Sequence, residues 1–268
     1  MKNPLILITN DDGVNSDGLW AAVEALEPLG DLVVVAPDRQ WSGAGRSMPH
    51  TVTGNVTESL RKVGDNRMIP VYAVDATPAL CVVHAMIEFV PRLPDLVVSG
   101  INFGENIGME VTISGTIGAA LEAAAFGVPG LALSLEMAIA EHLNGGQNKD
   151  YTAAKAFTAY FARRMLDRSM PTDVDVLNVN IPATAARTTP WMMTRLSRRR
   201  YFMPLGPDRA NGKNRPGYTV MNDFSLAEQN SDIWALRVKG CVSVTPLSMD
   251  MTSRTDFGAV EENLRTDW

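Results

Sequence analysis

Leu5-Ile6-Leu7-Ile8-Thr9-Asn10-Asp11-Asp12-Gly13 is the stretch whose reading decides the fold. Four consecutive aliphatic residues leave no polar face. Leu5 to Thr9 therefore reads as a strand buried on both sides, as strands of parallel sheets are. Asn10-Asp11-Asp12-Gly13 then ends the run with turn-forming residues. Moving outward, Gly18 to Leu29 reads as a helix with Leu19, Val23 and Leu26 on one face, and Leu32 to Ala36 as the next buried strand. Thr77 as N-cap and Pro78 at the first helical position open a helix that runs to about Val90, with Pro91 behind it. Leu96 to Ser99 is a strand, Ser114 to Phe126 a helix, Gly130 to Leu135 a strand, Tyr151 to Asp167 an amphipathic helix and Val174 to Ile181 a strand. Strands alternating with helical patterns predict βαβ units, hence an α/β fold with a doubly wound, mostly parallel sheet.

Beyond Pro182 the character changes. Residues of about 187–230 are rich in Arg, Pro, Gly and Asn and lack helical periodicity. Strands are expected at Met192 to Leu196, Ile233 to Val238 and Cys241 to Thr245, the last with the alternation of an exposed sheet. The chain thus reads as one domain over residues 1–268 with an extended, β-rich arm at about 187–230. The arm holds large apolar residues, including Trp191, Met192, Met193, Tyr201, Phe202 and Phe224, but no regular pattern with which to bury them. An oligomerisation element is the expected role.

The 268 residues carry 24 basic and 30 acidic side chains, a formal net charge of −6, which argues against a general nucleic-acid surface. No run is long enough to span a membrane. The opening apolar run is too short, and too soon acidic, for a signal peptide, so a cytoplasmic location is expected. Cys81 and Cys241 sit in apolar runs without CxxC spacing and are expected as buried, reduced thiols. The three histidines, His50, His84 and His142, are scattered, and His84 falls within an apolar helix as a packed or hydrogen-bonded residue.

Chemistry is expected beyond the carboxyl ends of the strands. The adjacent carboxylates Asp11 and Asp12 suit a hard cation such as Mg²⁺ or Mn²⁺, although Asn-Asp-Asp-Gly is equally good turn chemistry. After the second strand comes Pro37-Asp38-Arg39-Gln40-Trp41-Ser42-Gly43-Ala44-Gly45-Arg46. Ser42 can give a ligand oxygen and Gly43 and Gly45 let backbone approach an anion. Arg39 and Arg46 are either phosphate partners or surface ion pairs with neighbours such as Asp38. After Ser99, Gly100-Ile101-Asn102-Phe103-Gly104-Glu105-Asn106-Ile107-Gly108 presents the amides of Asn102 and Asn106. Ser114-Gly115-Thr116 opens a helix, either a simple cap or an anion site. The dinucleotide, P-loop, zincin and α/β-hydrolase motifs are all missing.

Together, Asn10-Asp11-Asp12-Gly13, Ala36-Pro37-Asp38-Arg39 with Ser42-Gly43-Ala44, Ser99-Gly100-Ile101-Asn102 with Gly104, Asn106 and Gly108, and Ser114-Gly115-Thr116 resemble the SurE family, in order along the chain. Val242-Ser243-Val244-Thr245-Pro246-Leu247, followed by Asp250 and Thr252, continues the resemblance. It implies a Rossmann-like core, a C-terminal dimerisation arm and a metal-dependent 5'/3'-nucleotidase acting on nucleoside monophosphates. It also implies one divalent ion per subunit held by Asp11, Asp12, Ser42 and Asn102, with Asp11 and Asp12 as the catalytic carboxylates. Asn10, Gly43, Asn106, Ser114, Gly115 and Thr116 are implied on the phosphate side, in a homodimer or homotetramer. Two departures stand out: Leu80 replaces the family's usual Asp in Thr-Pro-x-Asp-Cys, and Ile113 replaces the usual Tyr before Ser-Gly-Thr. A broader phosphomonoesterase or short-chain polyphosphatase, and a nucleotide-binding module without turnover, are the alternatives.

Overall fold

The computed structural model describes residues 3–138, 149–212 and 214–265. His142 lies outside them. In chain order the elements are β1 (Leu5–Thr9), α1 (Asp17–Leu26), β2 (Asp31–Pro37), β3 (Val56–Val63), β4 (Arg67–Val74), α2 (Pro78–His84), β5 (Leu96–Phe103), α3 (Gly115–Ala125), β6 (Gly130–Leu135), α4 (Thr152–Asp167), β7 (Val176–Ile181), β8 (Trp191–Met193), β9 (Phe202–Leu205), β10 (Gly217–Val220), α5 (Asp232–Arg237), β11 (Val242–Leu247) and α6 (Phe257–Arg265). The main sheet has the order β3-β4-β2-β1-β5-β6-β7-β11-β8. β4, β2, β1, β5, β6 and β7 are parallel, with β3 antiparallel at one edge and β11 antiparallel to β7. The doubly wound α/β expectation holds.

The period-two geometry of β1 explains why both sheet faces are covered. Ile6 and Ile8 pack with Leu19, Val23 and Leu26 of α1 and Phe157 and Phe161 of α4. Leu5 and Leu7 point the other way, to Cys81 and Val82 of α2 and Ala119 and Ala123 of α3. Each fully buried aliphatic side chain contributes about 1.5–3 kcal/mol. Both cysteines are free and buried, as expected. His84 lies in α2 and bonds Glu88 Oε1 at 2.5 Å through Nδ1. Among the described residues no helix is long and apolar enough to cross a membrane.

Four readings change. The hairpin β3–β4 was unread because β3 is exposed along almost its whole length and so carries no apolar pattern. β5 does not stop at Ser99: Gly100, at φ +128°, takes a bulge that a side chain would drive into the Leu133 carbonyl, and the strand resumes with Asn102 opposite Ser134. Ile233 to Val238, expected as a strand, is the helix α5. Ser231 caps it by accepting from Trp234 N at 3.3 Å, Asp232 sits in its first turn, and Ile233 and Leu236 are buried one turn apart. Local capping outweighs the β preference of Ile and Trp here. β11 is not exposed but almost wholly buried between β7 and β8, its alternation arising from the buried hydroxyls Ser243 and Thr245.

The arm divides into two parts. Its base folds back: Tyr201, Met221 and Ala227 pack on Ile107 and on Ile233 and Leu236 of α5, with Phe202 and Phe224 half-buried beside them. This small core is assembled across residues 201–236 and could not be read from a local pattern. Its β9–β10 hairpin forms a separate two-stranded sheet, leaving Met203, Leu205 and Tyr218 exposed.

Candidate active site

The strand order runs outward in opposite directions from the β1–β5 pair, so the crevice at their carboxyl ends is the topological switch point. Asp11 and Asp12 follow β1 there, and Asn102 stands at the end of β5. Asp11 is buried, and its Oδ1 accepts from Thr116 Oγ1 at 2.6 Å. Asp12 Oδ2 accepts from Phe103 N at 3.0 Å and its Oδ1 from Gln40 Nε2 at 3.2 Å. All these partners are neutral. Burial raises the Asp11 carboxyl above the ordinary carboxylate range, against the Thr116 hydroxyl and nearby backbone N–H groups. Burial, followed by the charge of Asp11, raises Asp12 well above it. Two adjacent carboxylates, one buried and one half-buried, with no bonded cationic side chain among the described residues, make this end of the sheet strongly electronegative.

The start of α3 closes one side. Ser114 is its N-cap, accepting from Ile117 N at 3.2 Å, so its hydroxyl holds the helix start. Gly115 is needed for packing: a Cβ there would lie 2.8 Å from Asp11 Cβ and 2.9 Å from Oδ2. The positive end of α3 is thereby brought directly against the carboxylate. Thr116 directs its hydroxyl to the Asp11 carboxylate.

The loop after β2 is stitched across the mouth. Trp41 N donates to Asp11 O at 2.7 Å and Gly45 N to Ile113 O at 2.9 Å, so Ser42 and Gly43 bridge from Asp11 to the residue before Ser114. Both are exposed, and Gly43 has φ +75°. Asn10 commits both of its side-chain N–H groups to the turn, to Gly13 O at 3.0 Å and Ser16 Oγ at 2.7 Å. What it leaves is a buried Oδ1 without a partner among the described residues. Arg39 pairs with Asp75 at 2.7 Å and Asp38 at 3.1 Å, and Arg46 with Glu122 at 2.6 Å. The ion-pair reading of both arginines is the one realised.

Asn102 Nδ2 donates to Gly104 O at 2.7 Å, so its Oδ1 is the atom that could hold a cation. Asn106 is half-buried and is held by residues that sequence reasoning missed. Its backbone N donates to Asn180 Oδ1 at 2.7 Å, and its carbonyl accepts from Asn178 Nδ2 at 2.8 Å and Asn180 Nδ2 at 3.1 Å. Its own Nδ2 donates to Ser134 Oγ at 2.9 Å. The available signal was Asn178-Val179-Asn180 within an otherwise aliphatic strand: buried amides two residues apart share one face.

The groups here that could hold a cation, the Asp11 and Asp12 carboxylates and the Oδ1 atoms of Asn10 and Asn102, are all oxygens, and among the described residues no three His, Cys, Asp or Glu side chains cluster. Hard-cation chemistry fits this set and thiolate or imidazole chemistry does not.

A family model described as survival protein SurE matches residues 6–203. The chain belongs to the SurE family. Among SurE relatives, the 5'-nucleotidase SurE of Thermococcus gammatolerans is 42% identical over 94% of this chain and 92% of its own length. That of Methanosarcina mazei is 40% identical over 97% and 98%. The crystal structure of the SurE protein from Aquifex aeolicus superimposes with a TM-score of 0.72 at 32% identity, covering 97% of this chain and all of that one. Against this SurE background, Leu80 packs half-buried on the α2 side of the core. Ile113 leaves its side chain exposed at the rim while its carbonyl takes the bond from Gly45.

Proposed function

We propose that the protein is a divalent-metal-dependent phosphomonoesterase that hydrolyses nucleoside 5'- and 3'-monophosphates to nucleoside and phosphate. The observation that carries this reading is the pair of buried Asp11 and half-buried Asp12 at the switch point, bonded among the described residues by neutral donors, with Asp11 packed against the start of α3. The names of the SurE relatives supply the nucleotide. Asp11, Asp12, Ser42 and Asn102 would hold one Mg²⁺ or Mn²⁺ per subunit, and their all-oxygen set suits either ion. When bound, the ion supplies charge neutralisation for the phosphate and a water of lowered pKa.

The chain's own residues do the remaining work. The backbone N–H of Gly43 and the second Nδ2 hydrogen of Asn106 bind the non-bridging oxygens, while the N–H groups of Gly115 and Thr116 face the Asp11 carboxylate and the positive end of α3 favours the growing charge. Ser114 keeps the helix start in place for this. One carboxylate of the Asp11–Asp12 pair takes the proton of the attacking water, whose oxygen bonds to phosphorus in line as the bond to the nucleoside oxygen breaks, and the departing oxygen takes a proton from solvent to give the nucleoside. Because Arg39 and Arg46 are already paired, the phosphate charge falls on these N–H groups and the ion.

The protein acts as a homodimer or homotetramer in this reading. Support comes from the exposed apolar residues of the arm and from α6, whose Phe257 and Leu264 are 62% and 77% exposed. A panel of nucleoside 5'- and 3'-monophosphates, a short polyphosphate and a chromogenic phosphomonoester, assayed with Mg²⁺, Mn²⁺ or chelator, tests the activity. Chelator-sensitive release from the monophosphates is expected. Equal release from every ester would replace it with a general phosphatase, and no release with a binding module.

A further inference from the structure

We propose that Asn178 and Asn180 of β7 are positioning residues that clamp the backbone of Asn106 and so aim its free amide hydrogen at the substrate phosphate. The inference rests on the phosphomonoesterase reading for what Asn106 binds. Asn180 engages Asn106 as a neighbouring strand would: Oδ1 accepts from the Asn106 N–H at 2.7 Å while Nδ2 donates to the same residue's carbonyl at 3.1 Å. Asn178 adds a second donor to that carbonyl at 2.8 Å. Both peptide groups of Asn106 are thus fixed from a sheet strand, although the residue itself lies on a loop past the end of β5.

The side chain is then fixed as well. Asn106 Nδ2 donates to Ser134 Oγ at 2.9 Å, and Ser134 sits on β6 in register with Asn180. An amide nitrogen has two hydrogens, so one remains for an anion. Asn178, Asn180 and Ser134 are completely buried, away from the reaction, and act only through Asn106. A buried amide in a strand is costly unless bonded; Asn180 uses both ends of its amide on Asn106, and Asn178 bonds it through Nδ2 while its Oδ1 has no partner among the described residues. Outer partners of this kind typically change activity by about 10–100-fold when removed.

The test uses the full chain with saturating Mn²⁺. Wild type, Asn180→Ala, Asn180→Asp, Asn178→Ala and Ser134→Ala are compared for kcat and KM on a nucleoside monophosphate, for binding of inorganic phosphate by calorimetry, and for thermal midpoint. Asn180→Asp keeps the acceptor for the Asn106 N–H but loses the donor. Ser243→Ala on β11, in register with Asn180 but bonded to nothing at the site, is the control. Asn180→Ala should lose about 10–100-fold in kcat and several-fold in phosphate affinity. Asn180→Asp and Ser134→Ala should fall between it and wild type, with half-saturating Mn²⁺ unchanged in all. Folded Asn180→Ala and Ser134→Ala proteins with wild-type kcat and phosphate affinity would overturn the clamp, as would losses no larger than those of Ser243→Ala. Absence of turnover in wild type would sink the nucleotidase reading alone, because phosphate binding in the same samples still decides the clamp. Wild type that binds no phosphate would sink both.

Discussion

Gly115→Ala is the sharpest single perturbation of this site. The added methyl would sit 2.8 Å from Asp11 Cβ and 2.9 Å from Oδ2, with Asp11 Cγ at 3.2 Å. Carbon atoms rest about 3.5–4.0 Å apart, so Asp11 and α3 must separate by roughly 0.7 Å. Overpacking of this degree costs about 1–3 kcal/mol. In a chain of this size that is a loss of about 2–4 °C in thermal midpoint per kcal/mol. The catalytic loss should be larger. A displacement approaching 1 Å at a catalytic group costs on the order of 10²-fold. The assay is phosphate release under saturating Mn²⁺, with the thermal midpoint measured on the same samples. Val82→Ala, a buried truncation on α2 away from the carboxylates, serves as the stability-matched control and should keep nearly full kcat. Gly115→Ala with wild-type kcat would refute the close packing of α3 on Asp11 as a catalytic requirement.

Further outcomes follow from the same geometry. Asp12→Asn should raise the thermal midpoint of chelator-treated protein at neutral and alkaline pH, because burial and the Asp11 charge raise the Asp12 carboxyl. A raised carboxyl favours folding below its unfolded value, near 3.8, and loses that contribution as pH rises through the folded value, so the variant's advantage should fade toward pH 4. A midpoint difference independent of pH would contradict this. Ser114→Ala should lower stability by about 0.5–2 kcal/mol through loss of the cap, and weaken inhibition by free phosphate with metal affinity nearly unchanged. Thr116→Ala removes the 2.6 Å bond to Asp11 and should also shift half-saturating Mn²⁺; no shift would leave the hydroxyl to the phosphate alone. The full-length chain should run as a dimer or larger in sedimentation at micromolar concentration, and a fully active monomer would remove the arm's proposed role.

The parallel core was legible because β1, β2 and β6 are buried on both faces, which makes them plain aliphatic runs. The helix starts at Thr77-Pro78 and Ser114-Gly115 were legible because capping is local chemistry. Edge strand β3 was not, since a strand with little to bury carries no pattern. Helix α5 was misread because Ile233 and Trp234 suggested a strand while the cap at Ser231 fixed a helix. At the site, Asp11 and Asp12 follow β1 and Asn102 stands near the end of the neighbouring β5, which places them at the same end of the sheet. The ion pairs of Arg39 and Arg46 depend on Asp75 and Glu122, distant in sequence, and so were open beforehand. The same holds for the clamp on Asn106, whose partners come from a strand more than 70 residues away.

The most direct test of the central claim is phosphate release from a nucleoside 5'-monophosphate by wild type and Asp11→Asn, each with Mn²⁺ and with chelator. The account predicts turnover by wild type that chelator abolishes and Mn²⁺ restores, and a folded Asp11→Asn protein that stays near background in both conditions. Chelator-resistant turnover by wild type, or metal-stimulated turnover by folded Asp11→Asn at close to the wild-type rate, would contradict it.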